Sequence, residues 1–186
     1  MRPAGGRRAV RRSARLGSRG IAALEFGLLS PLFLLLLAGV VDFANAYVAK
    51  SLLDATVSSA ANYAVLNGGT QDGATLAANL ARILANSNSV RWFNGVAVVN
   101  AGATATVTSG VVSSTGSINS NAYCPTGAPP ALTWGSPATA GSACSGGGLA
   151  GGFVSIVASY VYVPIFAGFS YLPNGTMTSS AVVQTR

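Results

Sequence analysis

The longest apolar run of the chain covers residues 21–41, and only Glu25, Ser30 and Pro31 interrupt it. Its 21 residues, at a rise of 1.5 Å each, extend about 31 Å as a helix, which matches a bilayer hydrocarbon core of about 30 Å. The run therefore predicts a transmembrane helix.

The helical pattern continues beyond the apolar run. Residues 42–66 contain neither Pro nor Gly, and Asn67-Gly68-Gly69 predicts where the helix stops. Apolar positions at helical spacing mark one face: Leu53, Val57, Ala60 and Ala64. We expect one continuous helix of about 46 residues and about 69 Å, half of it outside the membrane.

The remainder of the chain predicts a second short helix and a small antiparallel β-sheet. Helical spacing extends from Asp72 to Ala85, before the Asn-Ser-Asn sequence that follows. Alternating small apolar and Thr positions, or β-branched and aromatic positions, mark three strands. These strands lie within residues 96–108, 153–165 and, more weakly, 176–185.

Residues 109–152 are rich in Gly, Ser, Thr and Pro, which predicts a long loop. Cys124 and Cys144 lie within it. Two cysteines of an exported domain usually pair, and two free thiols are the alternative. Two Cys without His or a CxxC pattern do not make a zinc site.

Charge is concentrated at the N-terminus. Seven of the 11 Lys and Arg residues lie in the first 19 positions, and no charged side chain lies between Arg91 and Arg186. An Arg-rich arm can bind nucleic acid through phosphates. Here it flanks an apolar run, so retention of this segment in the cytoplasm is the better interpretation, and we expect no nucleic-acid partner.

The residues required for common catalytic sites are missing from the sequence. The chain contains no His, which excludes Ser-His-Asp and Cys-His nucleophiles and His-based metal sites. Lys50 is the single Lys and belongs to the predicted helix next to the membrane, where we expect it to extend toward the interface rather than act as a base. The sequence thus predicts a non-enzymatic protein without cofactors.

The most informative motif is Gly20-Ile21-Ala22-Ala23-Leu24-Glu25-Phe26. A carboxylate inside an apolar span costs about 2.5–3.5 kcal/mol at the centre of the helix and less near its edge. Cleavage after Gly20 would make Ile21 a positively charged N-terminus, one helical turn from Glu25. Glu25 could then interact favourably with its own helix N-terminus or neutralise the amine of a neighbouring subunit. The alternative is a Glu that merely lies among lipid headgroups.

The basic leader, the Gly20 junction and Glu25-Phe26 before an apolar helix resemble the class III signal of type IV pilins and pseudopilins. The run RGIAALEFGLLSPLFLLLLAGVVDFANAYVAKSLLDATVSSAA, from Arg19 to Ala61, resembles the TadE family of Tad pilus proteins. The late strand YVYVPIF is also similar to that family, whereas the Cys loop has no match in it.

The resemblance implies a minor pilin or pseudopilin that acts in assembling a Tad-type (Flp, type IVb) pilus. It implies that a prepilin peptidase cuts between Gly20 and Ile21, and that Glu25 and Phe26 dock subunits together. The implied partners are the bacterial inner membrane, other pilin-like subunits and Tad secretion platform proteins. The N-terminus would lie in the cytoplasm and the C-terminal domain in the periplasm.

Two alternatives remain open at this point. One is an uncut membrane-anchored envelope protein with a binding or adhesive role. The other is a secreted protein with a signal peptide, because Ala44-Asn45-Ala46 fits a cleavage site before Tyr47. Against it, the apolar region exceeds the usual 7–15 residues of a signal peptide and contains Glu25.

These observations combine into an α+β fold: a long transmembrane helix that continues outside the membrane, a second short helix, and a small antiparallel sheet with a disulfide-bearing loop. The expected domains are a basic cytoplasmic leader (1–20), the transmembrane helix (21–41), an extracytoplasmic helical region (42–88) and a β-rich exported domain (89–186) with its Cys loop (109–152).

Overall fold

One long helix, α1, spans Ser18–Asn67 in the computed structural model, which describes residues 18–86, 93–117, 119–166 and 175–186. It is long and apolar enough to cross a membrane, with a mean hydropathy of 2.2 over its most apolar stretch. The chain divides into two compact units, one ending at Val41 and the other beginning at Asp42. The predicted continuation of the apolar helix past residue 41 is confirmed.

In the first unit, α1 presents its apolar side chains outward. The large apolar residues between Ile21 and Val41 are 45% to 74% exposed. Leaving so much apolar surface in water is costly, at about 25 cal/mol for each Å². Lipid or partner helices are therefore the environment for which this part of α1 is suited.

In the second unit, the remainder of α1 and a second helix, α2 (Gly73–Asn86), bury one face each in a common core. The buried side chains of α1 include the predicted stripe of Leu53, Val57, Ala60 and Ala64. Those of α2 include Leu76, Leu80 and Leu84, which repeat every four residues. The helical periodicity of the sequence thus correctly identified the core faces of both helices.

The N-terminus of α2 is capped by Asp72. Its Oδ1 accepts hydrogen bonds from the backbone N–H groups of Ala74 (3.0 Å) and Thr75 (2.9 Å). These bonds satisfy two donors that have no partner within the helix. The side chain and the backbone N–H of Thr75 both donate hydrogen bonds to Asp72, and these hold the pKa of Asp72 below the ordinary value of 3.8.

Replacing Asp72 with alanine should lower the melting temperature of the protein by roughly 2–4 °C, because the cap is lost. Asp72→Asn is the matched control, since Asn caps helices about as well as Asp and should leave the melting temperature almost unchanged. Near-UV circular dichroism of the detergent-solubilised chain measures both. Equal losses in the two variants would show that the carboxylate charge, rather than the cap, stabilises this helix.

Within the described residues, five antiparallel strands form one sheet in the order β3-β2-β1-β4-β5. The strands are β1 (Asn94–Val99), β2 (Ala103–Thr108), β3 (Val111–Thr115), β4 (Phe153–Val161) and β5 (Thr176–Gln184). Alternate residues of the central strands enter the same core as the two helices. They include Ala97, Val99, Ala105, Val107, Val154, Ile156 and Ala158.

The expectation of one strand within residues 96–108 is wrong. The chain reverses at Asn100 and Ala101, whose φ angles are 51° and 53°, and Gly102 N–H donates to the Val99 carbonyl at 3.0 Å. These two successive positive φ values form a tight turn within the three residues that separate the paired Val99 and Ala103. Alternation of small apolar and Thr residues continues on both sides of it, so the sequence pattern does not reveal the reversal.

Two further strand boundaries differ from the prediction. β4 ends at Val161, so residues 162–165 are not part of the strand. β3 occupies Val111–Thr115, within the segment predicted to be a loop. Because β3 is an exposed edge strand with only weak burial, its sequence carries little apolar alternation.

The Cys loop is organised by a disulfide between Cys124 and Cys144, whose Cα atoms are 5.6 Å apart. Short antiparallel bridges support it, such as those between Ala122 and Ala138 and between Ala143 and Leu149. Closing a loop of this length restricts the unfolded chain by roughly 3 kcal/mol. The structure therefore contains the disulfide-bearing loop, and the alternative of two free thiols is excluded.

Candidate functional site

The four residues of the predicted processing and docking motif lie near the start of α1. Gly20 and Ile21 belong to its first turn, and Glu25 and Phe26 follow on the next. Ile21 and Phe26 are 59% and 74% exposed, and Glu25 is also exposed. About 6 Å separates the level of Ile21 from that of Glu25 along the helix axis.

The chemistry available at this motif is that of a carboxylate surrounded by apolar side chains. In a low-dielectric environment such a group attracts a cation far more strongly than it does in water. A new N-terminal amine at Ile21, on this chain or on a neighbour, would be a suitable cation. The motif can therefore set the stagger of packed helices, but it offers no acid–base pair for catalysis.

A second carboxylate, Asp42, is completely buried at the first residue of the second unit. Its Oδ1 accepts hydrogen bonds from the Tyr162 hydroxyl (3.0 Å) and the Ile165 backbone N–H (2.8 Å). Its Oδ2 accepts one from the Phe166 backbone N–H (3.2 Å). The Tyr162 hydroxyl also lies 2.9 Å from the Asp42 carbonyl oxygen. Asp42 thus fastens the segment after β4 to α1, across 120 residues of sequence.

The protonation state of Asp42 follows from two opposing effects. Burial raises the pKa of its carboxyl. The hydrogen bonds from Ile165, Phe166 and Tyr162 together lower this pKa by more than burial raises it, so that it lies below the ordinary value of 3.8. The group is therefore a carboxylate at neutral pH. Three donors compensate its negative charge, which is how a buried charge can be tolerated.

The sequence pattern places Asp42 directly after the apolar run and gives no indication of this role. The available signal was its scarcity: after residue 41 the sequence has only three carboxylate side chains, those of Asp42, Asp54 and Asp72. Its partners are two backbone N–H groups and one Tyr hydroxyl. No sequence pattern identifies backbone donors that lie more than a hundred residues away.

A second connection links α1 to β5. The Lys50 ammonium donates to Asp54 Oδ1 at 2.6 Å and to the Thr178 carbonyl at 2.9 Å. The expectation that Lys50 extends toward the membrane interface is therefore wrong, because these two acceptors hold its ammonium group. Burial raises the pKa of Asp54, but hydrogen bonds from Lys50 and Ser179 and the Lys50 charge lower it below 3.8 overall.

In the described part of the chain, no group of three or more His, Cys, Asp or Glu side chains could hold a metal ion. The Cys124–Cys144 disulfide lies in the loop and borders a cavity lined by Gly146, Phe153 and Gln184. The motif residues of α1 belong to the first unit, and the disulfide belongs to the second.

Residues 20–62 match the family described as TadE-like protein. No curated protein and no solved structure matches the chain. The matched segment begins at the Gly20 junction and includes Glu25, Asp42 and Lys50, so it covers α1 almost to its end.

Proposed function

From the TadE-like segment at residues 20–62, we propose that this chain is a minor pilin or pseudopilin-like subunit that acts in assembling a Tad-type pilus. The family match supports involvement in Tad pilus assembly, and it is the observation that carries the proposal. The role is structural rather than catalytic, in keeping with a family of assembly proteins.

The arrangement of α1 supports this role. The matched segment extends from the apolar, outward-facing part of the helix into the part whose face is buried in the core of the second unit. A subunit of this kind can be stored in the membrane through residues 21–41. Its exported domain, with the Cys loop, then presents surface to other subunits.

The motif residues have distinct roles in this proposal. A prepilin peptidase cuts between Gly20 and Ile21 and removes the basic leader. Glu25, with Phe26 beside it, then docks the helix against neighbouring pilin-like subunits by neutralising a terminal amine. The chain begins in the bacterial inner membrane, with its N-terminus in the cytoplasm and its folded domain in the periplasm, next to the Tad secretion platform.

Processing can be tested on the membrane-extracted protein by mass spectrometry. We expect the mature chain to begin at Ile21, and we expect Gly20→Leu to leave it uncut because the peptidase site requires a small residue. Gly17→Leu is the matched control and should be processed normally.

Other N-termini would contradict the proposal in specific ways. A start at Met1 would make the protein an uncut anchor in the envelope. A start at Tyr47 would make it a secreted protein, although that cut would remove Asp42 and leave the backbone N–H groups of Ile165 and Phe166 without their acceptor.

A further inference from the structure

The segment that Asp42 holds has an unusual surface for an exported domain. Val161 ends β4 and residues 162–166 follow it, and four side chains within residues 161–166 are apolar and exposed. The exposed fractions are 55% for Val161, 74% for Val163, 59% for Ile165 and 41% for Phe166. Tyr162, between them, is turned inward to Asp42 and only 5% exposed.

Chain connectivity determines where this surface lies. Asp42 directly follows the apolar run 21–41, so it stands where α1 leaves the hydrocarbon core. The Ile165 backbone nitrogen is 2.8 Å from the Asp42 carboxylate. The segment is therefore held at the level of the polar interfacial layer, which is roughly 5–7 Å thick on each side of a bilayer.

The helix itself carries the residues typical of that layer. Phe43 and Tyr47 are 62% and 67% exposed and lie within about 8 Å of Asp42 along the axis. Aromatic residues are enriched at membrane–water interfaces because their rings combine an apolar body with a polar or polarisable edge. The exposed apolar side chains of α1 and those of the segment after β4 thus lie at the same depth in the interfacial layer.

The charge distribution favours lipid as the occupant. No charged side chain lies between Arg91 and Arg186, so the segment can enter the interface without dehydrating a charge of its own. The charge that contacts the segment, Asp42, is already shielded from solvent and satisfied by three donors.

We propose that residues 161–166 form an interfacial anchor that inserts Val163, Ile165 and Phe166 among the headgroups and upper acyl chains of the bilayer that α1 spans. The anchor holds the folded domain against the membrane surface, with Asp42 as the residue that positions it. Burying apolar side chains 5–10 Å into this boundary is the usual mode of interfacial binding. The inference requires only that α1 spans the membrane, so it stands independently of the pilus role.

Fluorescent labelling of the reconstituted full chain tests the anchor. Phe166→Cys and Val163→Cys, each labelled with an environment-sensitive fluorophore after the native disulfide has formed, report on the segment. Val111→Cys is the matched control, because Val111 is an equally exposed apolar residue (67%) on the distant edge strand β3. Vesicles contain phosphatidylcholine with a nitroxide quencher placed either near the headgroup or deep in the acyl chain.

We expect the shallow quencher to reduce the emission at positions 163 and 166 by about twofold or more, and the deep quencher to act less, as an interfacial depth requires. Position 111 should be unaffected by either. Emission at 163 and 166 that resembles the label in water would overturn the proposal. The proposal would also be overturned if the labels were shielded from water, were not quenched by either lipid quencher, and became exposed to water when the protein was diluted in lipid. A second copy of the chain would then cover the segment.

Discussion

Replacing Glu25 with alanine should leave the protein in the membrane but reduce the number of assembled pili by about tenfold or more. Loss of the carboxylate makes the span more apolar, so insertion is not impaired. If Glu25 docks subunits as proposed, the change removes a charge-assisted contact with a neighbouring subunit, and such contacts contribute roughly 1.5–3 kcal/mol each. Pilus counts by electron microscopy and the membrane-bound amount of the protein measure the two effects separately.

Leu28→Ala is the matched control for Glu25→Ala, since Leu28 is also exposed on the apolar part of α1 and carries no charge. It should assemble nearly normally. Glu25→Gln separates charge from hydrogen bonding and should resemble the alanine variant if the partner is an amine. Wild-type piliation in Glu25→Ala would remove the proposed docking role of this residue, whereas loss of the protein from the membrane would assign it to insertion.

The second large effect is expected at Asp42. Asp42→Asn should lower the melting temperature of the folded domain by roughly 5–10 °C, because an amide N–H group replaces one of the two acceptor oxygens and leaves a backbone donor unsatisfied beside a buried side chain. The backbone N–H of Phe166 would face that new donor. Near-UV circular dichroism in detergent measures the change without depending on the apolar part of α1, residues 21–41.

Asp54→Asn is the matched control, because it makes the same change on the same helix at a half-exposed ion pair. Exposed pairs contribute little, so this variant should melt within about 2 °C of the wild type. Equal losses in both variants would contradict a special role for Asp42.

Acid should reveal the same contribution of Asp42. Its pKa is below the ordinary 3.8 in the folded state, so the unfolded state binds more protons in acid. The stability from Asp42 is therefore complete above about pH 4 and is lost as the pH falls through the lower, folded-state pKa. Asp42→Asn should weaken this acid dependence without removing it, since the pKa values of Asp54 and Asp72 are also lowered.

The sequence by itself determined those features that depend on neighbouring residues. The apolar run 21–41, its continuation to Asn67 and the buried stripe from Leu53 to Ala64 all follow from local spacing, because a helix repeats every 3.6 residues. The second helix, predicted from about Asp72 to Ala85, followed from apolar residues at helical spacing such as Leu76, Leu80 and Leu84. The motif around Glu25 was also recognisable, since a charge in an apolar run stands out by composition alone.

Only the tertiary structure decided how distant segments meet. The hairpin at Asn100 and Ala101 was hidden because the same alternation continues on both of its sides, and a turn depends on backbone angles that the pattern does not carry. The role of Asp42 was hidden because its partners are mostly backbone N–H groups, which every residue except proline possesses. Their selection depends on β4 ending beside α1, and that arrangement results from packing a sheet and two helices around one core.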